Sequence, residues 1–339
     1  MSTLEPDRAA SAERTPSPDR LGTAVSVVIP CYSDERWSSI LDAVVSVQKQ
    51  LTPAEKIVVA VDHNPALSAR LREALPEISV VDNAAGIRGA SATRNAGAAD
   101  TTTPLIAFLD DDEVALPEWL GTLIAPFSDP DVVGTGGRYE PIWETEKPSW
   151  FPDVFAWVIG GHYEGMPETV SRVRNVWAGN MAVRAAEFRA VGGFLASFGK
   201  LAASSQPEDT SLCISMHRYS GGHWMYVPEA VIHHAVPRER ATFAFFVRRC
   251  YSEGHGKLLL RANLPTQDDD ETLSEERLYL IRVLPRGVLH ELRDTSRAFS
   301  RVCAMLAGVT AAAVGASVAI GQRVFRLGKE RRETSHKVL

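Results

Sequence analysis

Four consecutive acidic side chains, Asp110 to Glu113, directly follow the apolar run "LIAFL" at 105–109. A short apolar run is typical of a strand buried on both faces, as in the interior of an α/β sheet. Carboxylates crowded at the end of a strand repel one another unless a cation lies between them, and their hard oxygens suit Mg²⁺ or Mn²⁺. The stretch therefore indicates either a metal and phosphate site or a solvated acidic turn before the helix predicted in "LPEWLGTLI".

Three further strands are predicted upstream, in "VSVVIP" (25–30), "KIVVAV" (56–61) and "ISVVD" (78–82). Apolar residues at helical spacing separate the first two, and the helix-like "GASATRNAGAAD" precedes the acidic stretch. Repeated strand-helix-strand units predict a mostly parallel sheet, whose carboxyl edge is the place where open α/β sheets bind ligands. The residues predicted at that edge are Pro30–Tyr32, Asp62–Asn64, Asp82–Asn83 and Asp110–Asp112. Alternation along the fourth strand would turn Asp110 and Asp112 to one side and Asp111 to the other.

Composition excludes some classes of protein. The chain has 339 residues, of which 45% are hydrophobic, and a net charge of −6, so nothing favours nucleic acid as a partner. Its four cysteines have no metal-ligand spacing and are expected to be reduced thiols of a cytosolic protein. Residues 1–22 are rich in Pro, Ser and charge, which predicts a disordered tail.

The order and spacing of several motifs resemble those of the family-two glycosyltransferases. These motifs are "VSVVIPCY", an Asp after the second strand, "ATRNAG", "FLDDDE", "GGF", "PEDTSLC" and "HAVPRER". The resemblance implies the GT-A fold, which is an α/β fold with a Rossmann-like, mostly parallel central sheet and a mixed acceptor-side half. It places a nucleotide-binding half at about 23–115, an acceptor half at about 116–265 and a C-terminal helical extension at 266–339.

The same resemblance implies an inverting, metal-assisted transfer of a sugar from a nucleotide-diphosphate sugar, with a UDP-sugar as the expected donor. The acceptor would be a hydroxyl of a lipid-linked or glycan molecule, in the synthesis of cell-surface polysaccharide or glycolipid. The alternative is a catalytically silent membrane scaffold that binds a nucleotide sugar. Loss of turnover without loss of nucleotide binding, on replacement of Asp209, separates the two.

Metal ligands are expected from the acidic stretch. A cation stabilises the charge that gathers on a departing diphosphate, so Mn²⁺ or Mg²⁺ is the implied cofactor. Asp112 and Asp110 are the expected ligands, with Asp110 also near the ribose, and Asp111 and Glu113 are weaker candidates. His234, in "HAVP", would complete the coordination, although a buried structural histidine is the alternative.

The nucleotide and its diphosphate are expected to contact a second set of residues. By resemblance these are Pro30, Tyr32, Asp62, Arg94, Asp110, Asp111, Asn180, Arg248 and Arg249. Asp62 would recognise the base, but "DHNP" replaces the family's usual acidic pair and leaves the base undetermined. Arginine suits phosphate because it makes paired hydrogen bonds, yet a solvated basic helix face explains Arg248 and Arg249 nearly as well.

Asp209 in "PEDTS" would be the catalytic base that takes the proton of the acceptor hydroxyl. The alternative is that Glu208 and Asp209 only cap the helix that follows.

The segment at 302–321 carries no charge and is long enough to span a membrane, while 280–301 places arginines within an apolar helical pattern. A span would put the basic C-terminal residues on the outer side, against the positive-inside rule, since nucleotide sugars are cytosolic. We therefore predict a cytoplasmic enzyme that is peripheral on the inner membrane face through an in-plane or re-entrant helix pair. A soluble helix pair is the alternative.

Overall fold

The structure is a computed structural model that describes residues 24–83, 87–196, 208–263, 274–293 and 298–336. The tail predicted at 1–22 lies outside these residues. Four parallel strands form the first half of the sheet, in the order β3-β2-β1-β4. Their bounds are Val25–Cys31 (β1), Lys56–Asp62 (β2), Ser79–Asn83 (β3) and Leu105–Leu109 (β4). The helices that connect them are Trp37–Gln48 (α1), Pro65–Ala74 (α2) and Ala90–Ala99 (α3).

Beyond β4 the sheet becomes mixed and continues in the order β8-β6-β9-β5, with β7 on the side of β9. The strands are Glu113–Ala115 (β5), Val132–Trp143 (β6), Ser171–Val173 (β7), Asn180–Arg184 (β8) and His223–Val236 (β9). The helices of this half are Trp119–Ile124 (α4), Ala185–Ala190 (α5) and Glu208–Ser220 (α6). The predicted α/β architecture, with a parallel first half and a mixed second half, is therefore confirmed.

Both faces of the sheet are covered, which explains the unbroken apolar runs of its central strands. Along β4, Leu105, Ala107 and Leu109 pack on the face covered by α1, α2 and α4. The intervening Ile106 and Phe108 pack on the face covered by α5 and α6. Because alternate side chains are buried on opposite faces, these strands are apolar almost throughout, and the buried Ser26 of β1 is hydrogen-bonded to Thr103.

The C-terminal part of the chain packs on the mixed second half of the fold and shares a core with it. Its helices are Phe243–Asn263 (α7), Ser274–Leu278 (α8), Leu284–Glu291 (α9) and Ala298–His336 (α10), and a π-helical turn, Tyr279–Val283, joins α8 to α9. Ala304 and Met305 of α10 pack with Phe246 of α7 and with Phe155 in a short 3₁₀ helix at Asp153–Ile159. The segment Ala298–Gln322 is long and apolar enough to cross a membrane, with a mean hydropathy of 2.0 and only 28% of it buried.

A buried ion cluster fixes α8 to the rest of the molecule. The Arg174 guanidinium donates two hydrogen bonds of 2.9 Å to the Glu276 carboxylate, and the Lys257 ammonium lies 2.9 Å from the same group. Burial alone would raise the pKa of Glu276, but these two cations lower it to about 2. The carboxylate is therefore charged in the folded protein at any pH at which the protein is used.

We expect Glu276→Gln to destabilise the protein in a pH-dependent way. The folded pKa of about 2 lies below the ordinary value of 4.5, so the carboxylate stabilises the fold above pH 4.5 and loses that effect as the pH falls toward 2. The shift corresponds to about 3 kcal/mol at neutral pH. Urea unfolding at pH 7, 4 and 3 measures the free energy of unfolding of both proteins. The difference between wild type and variant should narrow below pH 4.5. A gap of constant size would show that this carboxylate does not titrate as described.

Candidate active site

A cavity of about 1100 Å³ opens at the carboxyl edge of the parallel strands. The residues singled out from the sequence that line it include Pro30, Tyr32, Asp62, Arg94, Asp110, Asp111, Asp112, Glu113, Glu208, Asp209, His234 and Arg249. Asn180 and Arg248 are not among its lining residues. The polar ends of separate strands thus meet in one place, as parallel topology requires.

The acidic stretch forms a turn, and this changes how its members are grouped. The β4 strand ends at Leu109, so the strand alternation expected for Asp110 to Asp112 does not hold. Asp110 accepts a hydrogen bond of 2.5 Å from Arg94, whereas Asp111 accepts one of 2.5 Å from Arg36. The Arg36 guanidinium is also 3.3 Å from Asp112, so Asp111 and Asp112 share one cation.

Arg36 was missed by the sequence analysis. It follows β1 in a short 3₁₀ turn, Asp34–Arg36, and its guanidinium lies 5.2 Å from the centre of the Tyr32 ring. Its only sequence signal is a basic residue shortly after the first strand, at the same sheet edge as the acidic stretch. Burial and Asp112 raise the pKa of Asp111 to about 6 even with Arg36 acting in the opposite direction.

The pairing of the short β5 with the much longer β9 builds a candidate metal centre. β5 runs antiparallel to β9, and the register sets Glu113 opposite His234. Ligand atoms of Asp112, Glu113 and His234 all lie within 4.8 Å of one another. Glu113, a weaker candidate from sequence, thus stands with Asp112, while the Oδ1 atom of Asp110 is held by Arg94.

The electrostatics of these three residues favour a cation. Glu113 is only 2% exposed, and burial together with repulsion from Asp110 and Asp112 holds its pKa well above the ordinary value. Burial lowers the pKa of His234, so its imidazole is neutral and has a lone pair for a metal. Its Nδ1 atom has no hydrogen-bond partner within the described part of the chain. A divalent ion would offset the repulsion that burial makes costly here.

Gly179 leaves the space that these carboxylates occupy. A Cβ atom at this position would lie 2.5 Å from Oε1 of Glu113 and 2.9 Å from Oδ2 of Asp110. Any larger residue would push both side chains out of place. The backbone at Gly179 therefore forms one wall of the acidic site.

Asp62 is held in a charged state at the other side of the cavity. Its carboxylate accepts hydrogen bonds from the backbone N–H of Gly89 and from Asn83, both of 2.9 Å, and lies 2.7 Å from Nδ1 of His63. Burial raises its pKa, but these hydrogen bonds outweigh burial and lower it below the ordinary value. The group is therefore a fixed anionic acceptor beside the N-terminus of α3.

Two acidic residues begin α6 and face the same cavity. Burial and the neighbouring Asp209 raise the pKa of Glu208 to about 7, although Arg94 acts against this at 3.8 Å. Burial also raises the pKa of Asp209, against the effects of Lys257 and of the Thr210 N–H, which donates to it at 2.6 Å. Both are better proton acceptors than an exposed carboxylate, and Arg94 connects this pair to Asp110.

Asn180 and Arg248 were expected to contact the nucleotide or its diphosphate, but neither lines the cavity. Asn180 is fully buried, accepts a 2.7 Å hydrogen bond from the indole N–H of Trp119, and donates to the carbonyl oxygens of Arg138 and Ala230. These bonds use its amide inside the protein. Arg248 is exposed and stacks on Phe245, because adjacent residues of a helix point about 100° apart and only Arg249 can face the cavity.

Arg240 is a further residue that the sequence analysis did not single out. It donates toward Nε2 of His234 at 3.2 Å and lies 3.8 Å from Asp112. The motif "HAVPRER" contains it, but nothing in that motif distinguishes it from the neighbouring Arg238.

Comparisons with known proteins agree with this geometry. Residues 26–192 match the sequence model of Glycosyl transferase family 2. The glucosyl-dolichyl phosphate glucuronosyltransferase of Haloferax volcanii is 30% identical over 270 residues, which cover 77% of this chain and 85% of that protein. The succinoglycan biosynthesis protein ExoM of Rhizobium meliloti is 29% identical over 174 residues, covering 50% and 52% of the two chains.

Two solved structures share the fold. A mannosyltransferase of Pyrobaculum calidifontis, in complex with GDP-Man and Mn²⁺, aligns with a TM-score of 0.55 at 17% identity and covers 86% of each chain. GalNAc-T7 with UDP, GalNAc and Mn²⁺ aligns with a TM-score of 0.51 at 18% identity, over 75% of this chain and 54% of its own. Together with the archaeal relative, these matches show that the protein is a family 2 glycosyltransferase of the GT-A fold that acts on nucleotide sugars.

Proposed function

We propose that this protein transfers a hexose from a nucleotide-diphosphate sugar, a UDP-sugar by preference, to a hydroxyl of a lipid-linked acceptor, with inversion at the anomeric carbon. The observation that carries the proposal is that Asp112, Glu113 and His234 line the same cavity as Asp209. The first set suits a diphosphate with its cation. The second supplies a base for the incoming hydroxyl.

Asp112, Glu113 and His234 would hold Mn²⁺ or Mg²⁺, since two carboxylates and a neutral imidazole are suitable ligands for such ions. When bound, this ion neutralises charge on the departing nucleotide diphosphate. Arg94 and Arg36 position Asp110 and Asp111 around it through hydrogen bonds of 2.5 Å. Asp62 lies where it can accept hydrogen bonds from the base or ribose.

Inverting transfer is a single displacement. The acceptor oxygen attacks the anomeric carbon, the bond from that carbon to the diphosphate oxygen breaks, and the hydroxyl proton passes to Asp209. One base is sufficient, because the acceptor loses its proton as the new bond forms. The raised pKa of Asp209 suits this role, since a carboxylate with a higher pKa holds the transferred proton more firmly.

A lipid-linked acceptor and an inner-membrane location are supported by the archaeal relative, whose name gives it a dolichyl phosphate substrate. They are also supported by the exposed apolar side chains of the C-terminal helices. Those exposed by half or more are Leu280, Ile281, Leu289, Leu292, Phe299, Leu306, Val314 and Ile320. Such a surface, with Arg282, Arg286 and Arg293 exposed beside it, suits a helix pair lying in the face of an anionic membrane.

A catalytically silent scaffold is the alternative function. A scaffold would need the donor end of the cavity but no base at the acceptor end. The crowding of Asp209 beside Glu208, both only partly exposed, argues against it, because bringing two carboxylates together costs stability and serves no purpose in binding alone.

We expect Asp209→Asn to lower kcat by about 100-fold to 10,000-fold, because the amide cannot accept the proton. Binding of the nucleotide, measured by calorimetry, should remain. Glu208→Gln is the matched variant. It should retain more turnover, because Glu208, which lies 3.8 Å from Arg94 in the first turn of α6, is not the proposed base. Equal losses in both variants, or full activity of Asp209→Asn, would contradict the assignment of the base. Loss of nucleotide binding in Asp209→Asn would also contradict it.

We expect the wild-type protein to co-sediment with vesicles of phosphatidylethanolamine and phosphatidylglycerol. Introducing Glu at both Leu306 and Ile320 should abolish this, because these side chains are 64% and 54% exposed on α10. Leu51→Glu is the control, since Leu51 is 71% exposed on the loop after α1, far along the chain from the C-terminal helices. Wild-type protein that stays in the supernatant would contradict the membrane location.

A further inference from the structure

The cavity extends well past the residues that a nucleotide sugar needs. Its volume of about 1100 Å³ is at the upper end of the range for small-molecule sites. The residues that line it also include Leu258 of α7 and Val309, Ala312 and Ala313 of α10. A site for the donor alone would not require a wall built by the C-terminal helix.

The two helices approach closely to make this wall. A Cβ atom at Gly254 would lie 2.0 Å from the carbonyl oxygen of Ala312, and one at Gly315 would lie 2.1 Å from that of Tyr251. The α10 backbone therefore lies directly against α7, and its small side chains leave open space on the cavity side. Phe245, Phe155 and Leu280 close the same space with apolar surface.

Charged residues line the same cavity as Asp209 and these apolar side chains. Arg249 and Lys257 of α7 face the cavity together with Arg174, and they are paired with Glu253 and Glu276. Lys257 and Glu253 are close enough to Asp209 to change its pKa.

The cavity thus brings together a base, charged side chains of α7 and an apolar channel lined by α7 and α10. We propose that the channel lined by α7 and α10 binds the isoprenoid chain of a sugar-phospho-polyprenol acceptor, with its phosphodiester at Arg249 and Lys257. A phosphodiester carries one negative charge, which the guanidinium of Arg249 and the ammonium of Lys257 can bind. The inference rests on the proposed transfer to a lipid-linked acceptor and gives it a site.

The residues that line the channel favour a lipid phosphate over a soluble glycan as the acceptor. A glycan chain would need hydrogen-bond partners along the whole cavity, whereas the residues of α10 that line it are Gly308, Val309, Ala312, Ala313 and Ala316. Burial of an isoprenoid chain there removes apolar area from water on both partners. The exposed apolar face of α10 lies beside the channel and would let the remainder of a long chain stay in the membrane.

Binding of methyl geranylgeranyl phosphate to the full-length protein tests this without any need for turnover. Ala313→Phe fills the channel, because Ala313 lines the cavity and its exposed position tolerates a larger side chain. Val314→Phe is the control, since Val314 is 50% exposed on the same helix and is not among the lining residues. Arg249→Gln removes one cation of the charged group.

We expect Ala313→Phe to weaken the Kd of the diester about tenfold or more, and Val314→Phe to leave it unchanged. Arg249→Gln should weaken the diester about tenfold but not the neutral methyl geranylgeranyl ether, because only the diester is charged. Nucleotide binding, measured in parallel, should be equal in the wild type, Ala313→Phe and Val314→Phe. Asp209→Asn should bind the diester normally, so that failure of catalysis and failure of this site are distinguishable.

Three results would overturn the proposal. The diester does not bind to the wild type, or Ala313→Phe and Val314→Phe weaken it equally, which would mean that the lipid only adheres to the exposed face of α10. The third result is that phosphatidylglycerol displaces the diester at a similar concentration, which would mean that the channel is a site for bilayer lipid.

Discussion

Repulsion among the four carboxylates from Asp110 to Glu113 is the constraint around which this protein is built. Two of them, Asp111 and Glu113, are at most 4% exposed, where uncompensated charge is costly. Arg94 and Arg36 each offset part of it through contacts of 2.5 Å. The offset is incomplete, since the pKa of Glu113 stays well above the ordinary value, and a divalent ion would supply the remainder.

The same cations extend the influence of the acidic turn across the cavity. Arg94 contacts Asp110 and lies 3.8 Å from Glu208, the neighbour of the proposed base. The base in turn lies within the electrostatic reach of Lys257, which joins the ion cluster that fixes α8. The acidic turn, the proposed base and the C-terminal helices are therefore within electrostatic influence of one another. This explains why the C-terminal segment shares a core with the catalytic half.

The strands of the first half could be predicted from sequence because doubly buried strands leave unbroken apolar runs that end in polar residues. The grouping within the acidic turn could not, because it depends on the antiparallel pairing of β5 with β9, which sets Glu113 opposite His234. Asn180 was placed by resemblance alone, and only the folded structure shows that Trp119 uses its amide. The apolar segment at 302–321 was evident, but its place in the cavity wall depends on packing against α7.

The most direct test of the account is thermal melting of the protein with UDP, GDP or dTDP, each with and without Mn²⁺, for the wild type and Gly179→Ala. Gly321→Ala is the control, because a Cβ atom there would contact nothing. The account predicts that one nucleotide stabilises the wild type and the control only with Mn²⁺, by about 2.7 kcal/mol at a hundredfold excess over Kd. Gly179→Ala should lose this effect, since its methyl group displaces Glu113 and Asp110. No shift with any nucleotide and metal, or a full shift in Gly179→Ala, would contradict it.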